Sequence, residues 1–121
     1  MTEVEVYGKS RGFIFGTYTL KIIREQTGIN TVEELWQRLF PDQQKETSIE
    51  YLDFLTKFFY CCALHYTKSK KQEVDFSEID VSDWLDEIGK EKSLEIFSEL
   101  VKTYTEKNMT APQKVGQDQP Q

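Results

Sequence analysis

The residues with the most chemical potential are Cys61, Cys62 and His65, close together in an otherwise apolar segment. Cys61 and His65 stand four apart, so on a helix they share a face, the geometry of a thiol beside a base. A reactive thiolate also needs a positive, partly exposed setting, and the neighbours Phe58, Phe59, Tyr60, Ala63 and Leu64 supply neither charge nor water. Cys61 and Cys62 therefore read as structural free thiols. Adjacent cysteines do not suit a bridge, and there is no Cys-x-x-Cys pair to support zinc or thioredoxin-like chemistry. His65 is the only histidine, so one chain cannot build a histidine-rich metal site. It reads as a core-facing residue.

The other candidates fail on spacing. Gly8, Gly12 and Gly16 match neither the Walker loop nor the dinucleotide fingerprint, and they read as turn and cap positions. Asp80, Asp83, Asp86 and Glu87 fall on a polar helix face, without the apolar surroundings that tune an acid or base, and they do not follow the calcium-loop pattern. The expectation is a protein without catalytic residues, metal or cofactor, one that works by binding.

The elements that must position such a binding surface can be traced along the chain. Val4 and Val6 alternate with polar residues before a turn signal at Gly8-Lys9, and Phe13 and Phe15 alternate after it, which predicts a short N-terminal β-hairpin. Residues 16–27 predict a helix whose apolar face carries Tyr18, Ile22, Ile23 and Gln26, widened by Leu20 and closed by Gly28 as a left-handed cap. Thr31-Val32-Glu33-Glu34 reads as a capping box opening a second helix, which Pro41 stops. Thr47-Ser48-Ile49-Glu50 opens the longest helix, to about Lys68. One of its faces carries Ile49, Leu52, Leu55, Phe59, Cys62 and Tyr66, and other apolar residues nearly encircle it, so it belongs at the centre of the fold. A short helix over residues 81–88 and a last one over residues 90–106, striped with Leu94, Phe97, Leu100, Val101 and Tyr104, complete the reading. The fold class is thus mainly α: a compact bundle of about five helices with a short N-terminal β-hairpin. Residues 1–107 form a single helical domain, and the polar stretch 108–121, with almost nothing to bury, reads as a disordered tail.

Bulk properties narrow the partner. The chain has 121 residues, enough for one core, with a formal net charge of -6 that disfavours nucleic acid. Seven of its acids lie in residues 73–87, where there is no Lys or Arg, reading as a solvated surface or as a face that meets a basic partner. The N-terminus lacks an apolar signal core, no apolar run reaches the ~20 residues of a membrane span, and the free cysteines suit a reducing compartment, so a cytoplasmic location is expected. The helix beginning at Thr31 holds more large apolar residues than its length needs, making Leu35, Trp36, Leu39 and Phe40 the candidate partner-binding anchors.

The order of these signals resembles the tail assembly chaperones of long-tailed bacteriophages. The resemblance rests on a hairpin leading into Phe13-Ile14-Phe15-Gly16-Thr17-Tyr18-Thr19-Leu20-Lys21, the helix start Thr31-Val32-Glu33-Glu34-Leu35, the long apolar helix, and Val81-Ser82-Asp83-Trp84-Leu85-Asp86-Glu87. It covers roughly residues 3–106 with diffuse motifs and no residue whose role transfers. It implies a non-enzymatic morphogenetic protein of the host cytoplasm, not expected in the mature virion. Such a protein binds and solubilises the tape-measure protein and assists tail-tube assembly. An acidic regulatory or DNA-mimic protein of a phage or host is the alternative, though the clustering of the acids argues against it.

Overall fold

A computed structural model describes residues 2–41 and 48–108. Strands β1 (Thr2–Val6) and β2 (Lys9–Phe13) form an antiparallel hairpin, followed by α1 (Thr17–Thr27), α2 (Val32–Leu39), α3 (Ile49–Ser69), α4 (Glu78–Ile88) and α5 (Lys90–Asn108). The mainly α class with an N-terminal hairpin is as expected from the sequence. The last helix reaches Asn108, and the polar stretch beyond it lies outside the described residues, as does Thr47.

The hairpin turns one residue earlier than the glycine-lysine signal suggests. Val6 pairs with Lys9, leaving Tyr7-Gly8 as a two-residue loop, with φ of +53° and +78°. Two positive φ angles match the twist of a tight hairpin, so the register selects this turn. The inner face of the hairpin carries Val6 and Phe13, both buried, and β2 packs on α3. The Ile14 N–H, just past β2, donates to the Cys62 carbonyl at 3.1 Å and fastens the hairpin to the middle of α3.

Local chemistry sets the helix ends. Thr19 donates its single hydroxyl hydrogen to the Ile14 carbonyl (2.9 Å) and accepts from the Gly16 N–H (2.9 Å). Gly28 stops α1 at φ +85°, with its N–H on the Arg24 carbonyl. At the start of α2 the Thr31 hydroxyl accepts from the Glu34 N–H at 3.0 Å. The reciprocal half of the box is displaced, because the Glu34 carboxylate reaches the Asn30 N–H instead (3.5 Å). At the start of α3 the Ser48 hydroxyl accepts from the Tyr51 N–H at 3.0 Å. α4 begins three residues earlier than the apolar pattern suggests, because Ser77 and Asp80 form a full capping box.

α3 is the centre of the fold. It touches α1, α2, α4 and β2, and its buried residues Phe54, Phe58, Phe59, Cys61, Cys62, Ala63, Leu64 and Thr67 cover more than one face. Its ends differ from the expected stripe. Ile49 and Leu52 in the first turns are exposed (86% and 50%), because the elements packed on α3 begin to cover it only from Phe54 onward. In α1 the buried side chains are Thr19, Ile22 and Ile23, while Tyr18 and Gln26 face outward. In α5 they are Ile96, Leu100 and Tyr104, with Phe97 half-buried and Leu94 out in solvent. Aromatic rings cluster within the core. Phe13 meets Phe59 edge-on, Phe15 meets Phe58 edge-on at 5.0 Å, and Phe15 stacks on Tyr104 at 4.5 Å. Each such buried ring contributes roughly 1.5–3 kcal/mol relative to an exposed one.

Candidate partner-binding surface

The four anchors expected on α2 divide into two pairs. Leu35 and Leu39 are buried (1% and 0% exposed). They point into the core and present nothing to a partner, so the sequence expectation for these two is corrected. The reason is geometric: neighbouring helix positions differ by about 100°, and α2 uses the Leu35–Leu39 side to hold itself onto α3. Trp36 and Phe40 lie one position further round and face α5. Trp36 is half-buried edge-on against Phe15 and Tyr104, and Phe40 is half-exposed. Their rings lie 5.8 Å apart, and Phe40 meets Phe97 of α5 at 5.6 Å.

The result is an aromatic edge running Trp36–Phe40–Phe97, with exposed Leu94 one turn from Phe97 on the same helix. The Tyr51 hydroxyl donates to the Leu39 carbonyl at 2.8 Å and sets the start of α3, with exposed Ile49 and Leu52, against the end of α2. The sequence pattern missed Phe97 and Leu94 as surface residues, because a helical stripe read alone assigns them to the core.

The thiols and the histidine sit as the sequence suggests, with more detail in their bonding. Both thiols are buried. Burial first, and the Glu78 charge next, push Cys61 up to about 12 against a smaller opposing pull from Lys57. Burial also raises Cys62. Both are therefore protonated at neutral pH. His65 Nδ1 lies 2.6 Å from Thr19 Oγ1. The Thr19 hydrogen is already used on Ile14, so Nδ1 carries a proton and donates to the hydroxyl. His65 is thus committed to Thr19 rather than to Cys61, and burial lowers its pKa.

β2, the end of α3 and the linker to α4 line an open cleft of about 330 Å³. Its cations are occupied internally. Lys9 and Arg11 both bind Asp75, and Lys9 first and Arg11 next hold that carboxyl down at about 2. The Arg11 guanidinium also lies 4.5 Å over the Trp84 ring. Among the described residues no group of three or more His, Cys, Asp or Glu is arranged to hold a metal ion, and no helix is long and apolar enough to cross a membrane.

Comparison of the chain with protein-family models, with curated proteins and with solved structures gives no match.

Proposed function

We propose that the chain is a non-enzymatic tail assembly chaperone of a phage or prophage, acting in the host cytoplasm by binding amphipathic helices of a tape-measure protein along the Trp36–Phe40–Phe97–Leu94 edge and thereby assisting tail-tube assembly. The observation that supports this reading is the half-exposed Phe40 (50%), seated between Trp36 and Phe97, with exposed Leu94 one turn before Phe97 on α5. An amphipathic helix needs an apolar strip with aromatic anchors, not an enclosed pocket. Anchors of this kind carry on the order of 2 kcal/mol or more each. The order of motifs that resembles the tail chaperones adds the identity of the partner.

The test is co-expression with a candidate tape-measure protein. The wild-type chain should keep that protein in solution and co-purify with it. A Phe40→Ser, Leu94→Ser double variant changes exposed side chains and should fold, yet lose the partner. Full solubilisation by the folded variant would place binding elsewhere. Failure of the wild type to bind any tape-measure fragment would remove the chaperone reading.

A further inference from the structure

The cleft beside β2 has main chain as well as side chains in its wall. Residues 9–12 of the hairpin line it, facing residues 72, 73, 75 and 76 of the linker to α4. The phase of the hairpin ladder decides which main-chain groups of β2 point that way. Val6 and Lys9 close a two-residue loop, so they exchange both of their hydrogen bonds. The bonded pairs then alternate along the ladder: Val4 with Arg11 and Thr2 with Phe13 are bonded, while Glu5 with Ser10 and Glu3 with Gly12 are not. The N–H and C=O groups of Ser10 and Gly12 therefore point away from β1. Ile14 follows in the same series, and its N–H does point outward, onto the Cys62 carbonyl.

Among the described residues, the main chain of Ser10 and Gly12 makes no hydrogen bond outside the hairpin, and the linker makes no main-chain hydrogen bond to β2. Gly12 is buried, where unpaired main-chain groups are costly. Lys9 and Arg11 stand at the same stretch of strand. Asp75 takes one nitrogen of each, and its side chain stays 46% exposed, so both cations keep donors for a second carboxylate. Glu73 also lines the cleft, and Lys70 lies beside it over the Tyr66 ring, leaving cations in excess there. Glu3, on the other strand, is tied to the Tyr66 hydroxyl.

We infer that this cleft takes an extended, acidic segment of a partner protein, which adds to the β2 edge through Ser10 and Gly12 and sets an aspartate or glutamate against Lys9 and Arg11. The unpaired strand edge selects an extended chain, because only a strand presents N–H and C=O groups at the matching spacing. Ser10 to Gly12 covers roughly 7 Å, so about three residues of the segment pair. A second copy fits poorly, since its own β2 edge is flanked by its own α3 and linker. The inference stands apart from the tape-measure reading, because it uses a different part of the fold and a different binding mode.

The probe is a capped seven-residue peptide of valine and threonine with one central glutamate. It is compared with a version N-methylated throughout and with one carrying lysine in place of glutamate. Binding to the full chain is followed by fluorescence anisotropy and by amide exchange. The glutamate peptide should bind with a Kd below about 1 mM and slow exchange at Ser10 and Gly12 at least tenfold. The N-methylated peptide should not bind. Ser10→Pro removes an outward N–H at a place where an edge strand accepts proline, and it should abolish binding, while Ser10→Ala should bind normally. The lysine peptide should bind about tenfold more weakly, and Lys9→Gln should narrow that gap. Equal affinities for the glutamate and lysine peptides would overturn the acidic assignment. Normal binding of the N-methylated peptide, or of the glutamate peptide to folded Ser10→Pro, would overturn strand addition, and the N-methylated peptide decides the point if Ser10→Pro does not fold. No binding by about 1 mM, protection centred on the aromatic edge, or self-association through β2 would overturn the inference as a whole.

Discussion

Replacing Gly12 with Ala tests how tightly the hairpin is seated on α3. Gly12 lies in β2 opposite Glu3, and a β-carbon there would overlap Cε2, Cδ2 and Cζ of the Tyr66 ring. The strand cannot retreat, because Phe13 is fully buried and Ile14 N–H is held by the Cys62 carbonyl at 3.1 Å. The ring must therefore swing away, which costs the hydrogen bond from the Tyr66 hydroxyl to Glu3 Oε2. Overpacking of this kind costs about 1–3 kcal/mol. Because Tyr66 is only half-buried, its ring has somewhere to go, which favours the lower part of that range. Ala also gains about 0.5–1 kcal/mol over Gly in a strand through backbone entropy, which roughly cancels the loss of the hydrogen bond, itself worth about 0.5–1.5 kcal/mol. The net loss should be about 1–2 kcal/mol, which for a domain of this size lowers Tm by roughly 4 °C per kcal/mol. Urea denaturation of four proteins decides the matter: wild type, Gly12→Ala, Tyr66→Ala and the double variant. With the ring removed, Gly12→Ala should be neutral or slightly stabilising, leaving a coupling of about 2 kcal/mol. A loss below about 0.5 kcal/mol in the wild-type background, or an equal loss in the Tyr66→Ala background, would refute this packing.

Phe59→Ala should cost about 3–5 kcal/mol in chemical denaturation, since its ring is 3% exposed and meets Phe13, Phe58 and Phe97; a change below about 1 kcal/mol would misplace the core. Cys61 and Cys62 should react with a disulfide reagent far more slowly than free cysteine in the native state and normally in denaturant, because both are buried and Cys61 is pushed up to about 12. Labelling of the native chain at free-cysteine rates would contradict this. Burial lowers the pKa of His65 in the folded chain, so below about 6.5 the unfolded chain binds the extra proton first. The His65 contribution is therefore complete above the unfolded value and lost as pH falls through the folded one. A His65→Gln variant should show a shallower acid slope in stability, and an unchanged slope would assign the effect to other groups.

Helix existence and helix ends were legible in the sequence because they depend on local chemistry. Gly28 stops α1 with a left-handed backbone, Thr31 caps α2, and the nearly all-round apolar character of residues 51–66 marks α3 as central. The start of α4 was not legible from its apolar pattern, since the Ser77–Asp80 box lies ahead of Val81, the first residue of that pattern. The hairpin turn shifted by one residue for a similar reason: the pairing of Val6 with Lys9, and not the glycine alone, selects the loop.

Which side of each helix becomes surface was decided by the tertiary structure. Periodicity groups Leu35, Trp36, Leu39 and Phe40 together, but only the packing of α2 on α3 and beside α5 sends the leucines inward and leaves Phe40 half in solvent. The same holds for Thr19, a polar residue in α1 that is fully buried because Ile14, Gly16 and His65, the last 46 positions away, use all of its hydroxyl's bonding capacity. Asp75 likewise acquires Lys9 and Arg11 as partners across 66 and 64 positions. Local propensity and capping act over one helical turn and can be read along the chain. Burial and ion pairing depend on which distant elements meet, and the folded chain alone determines that.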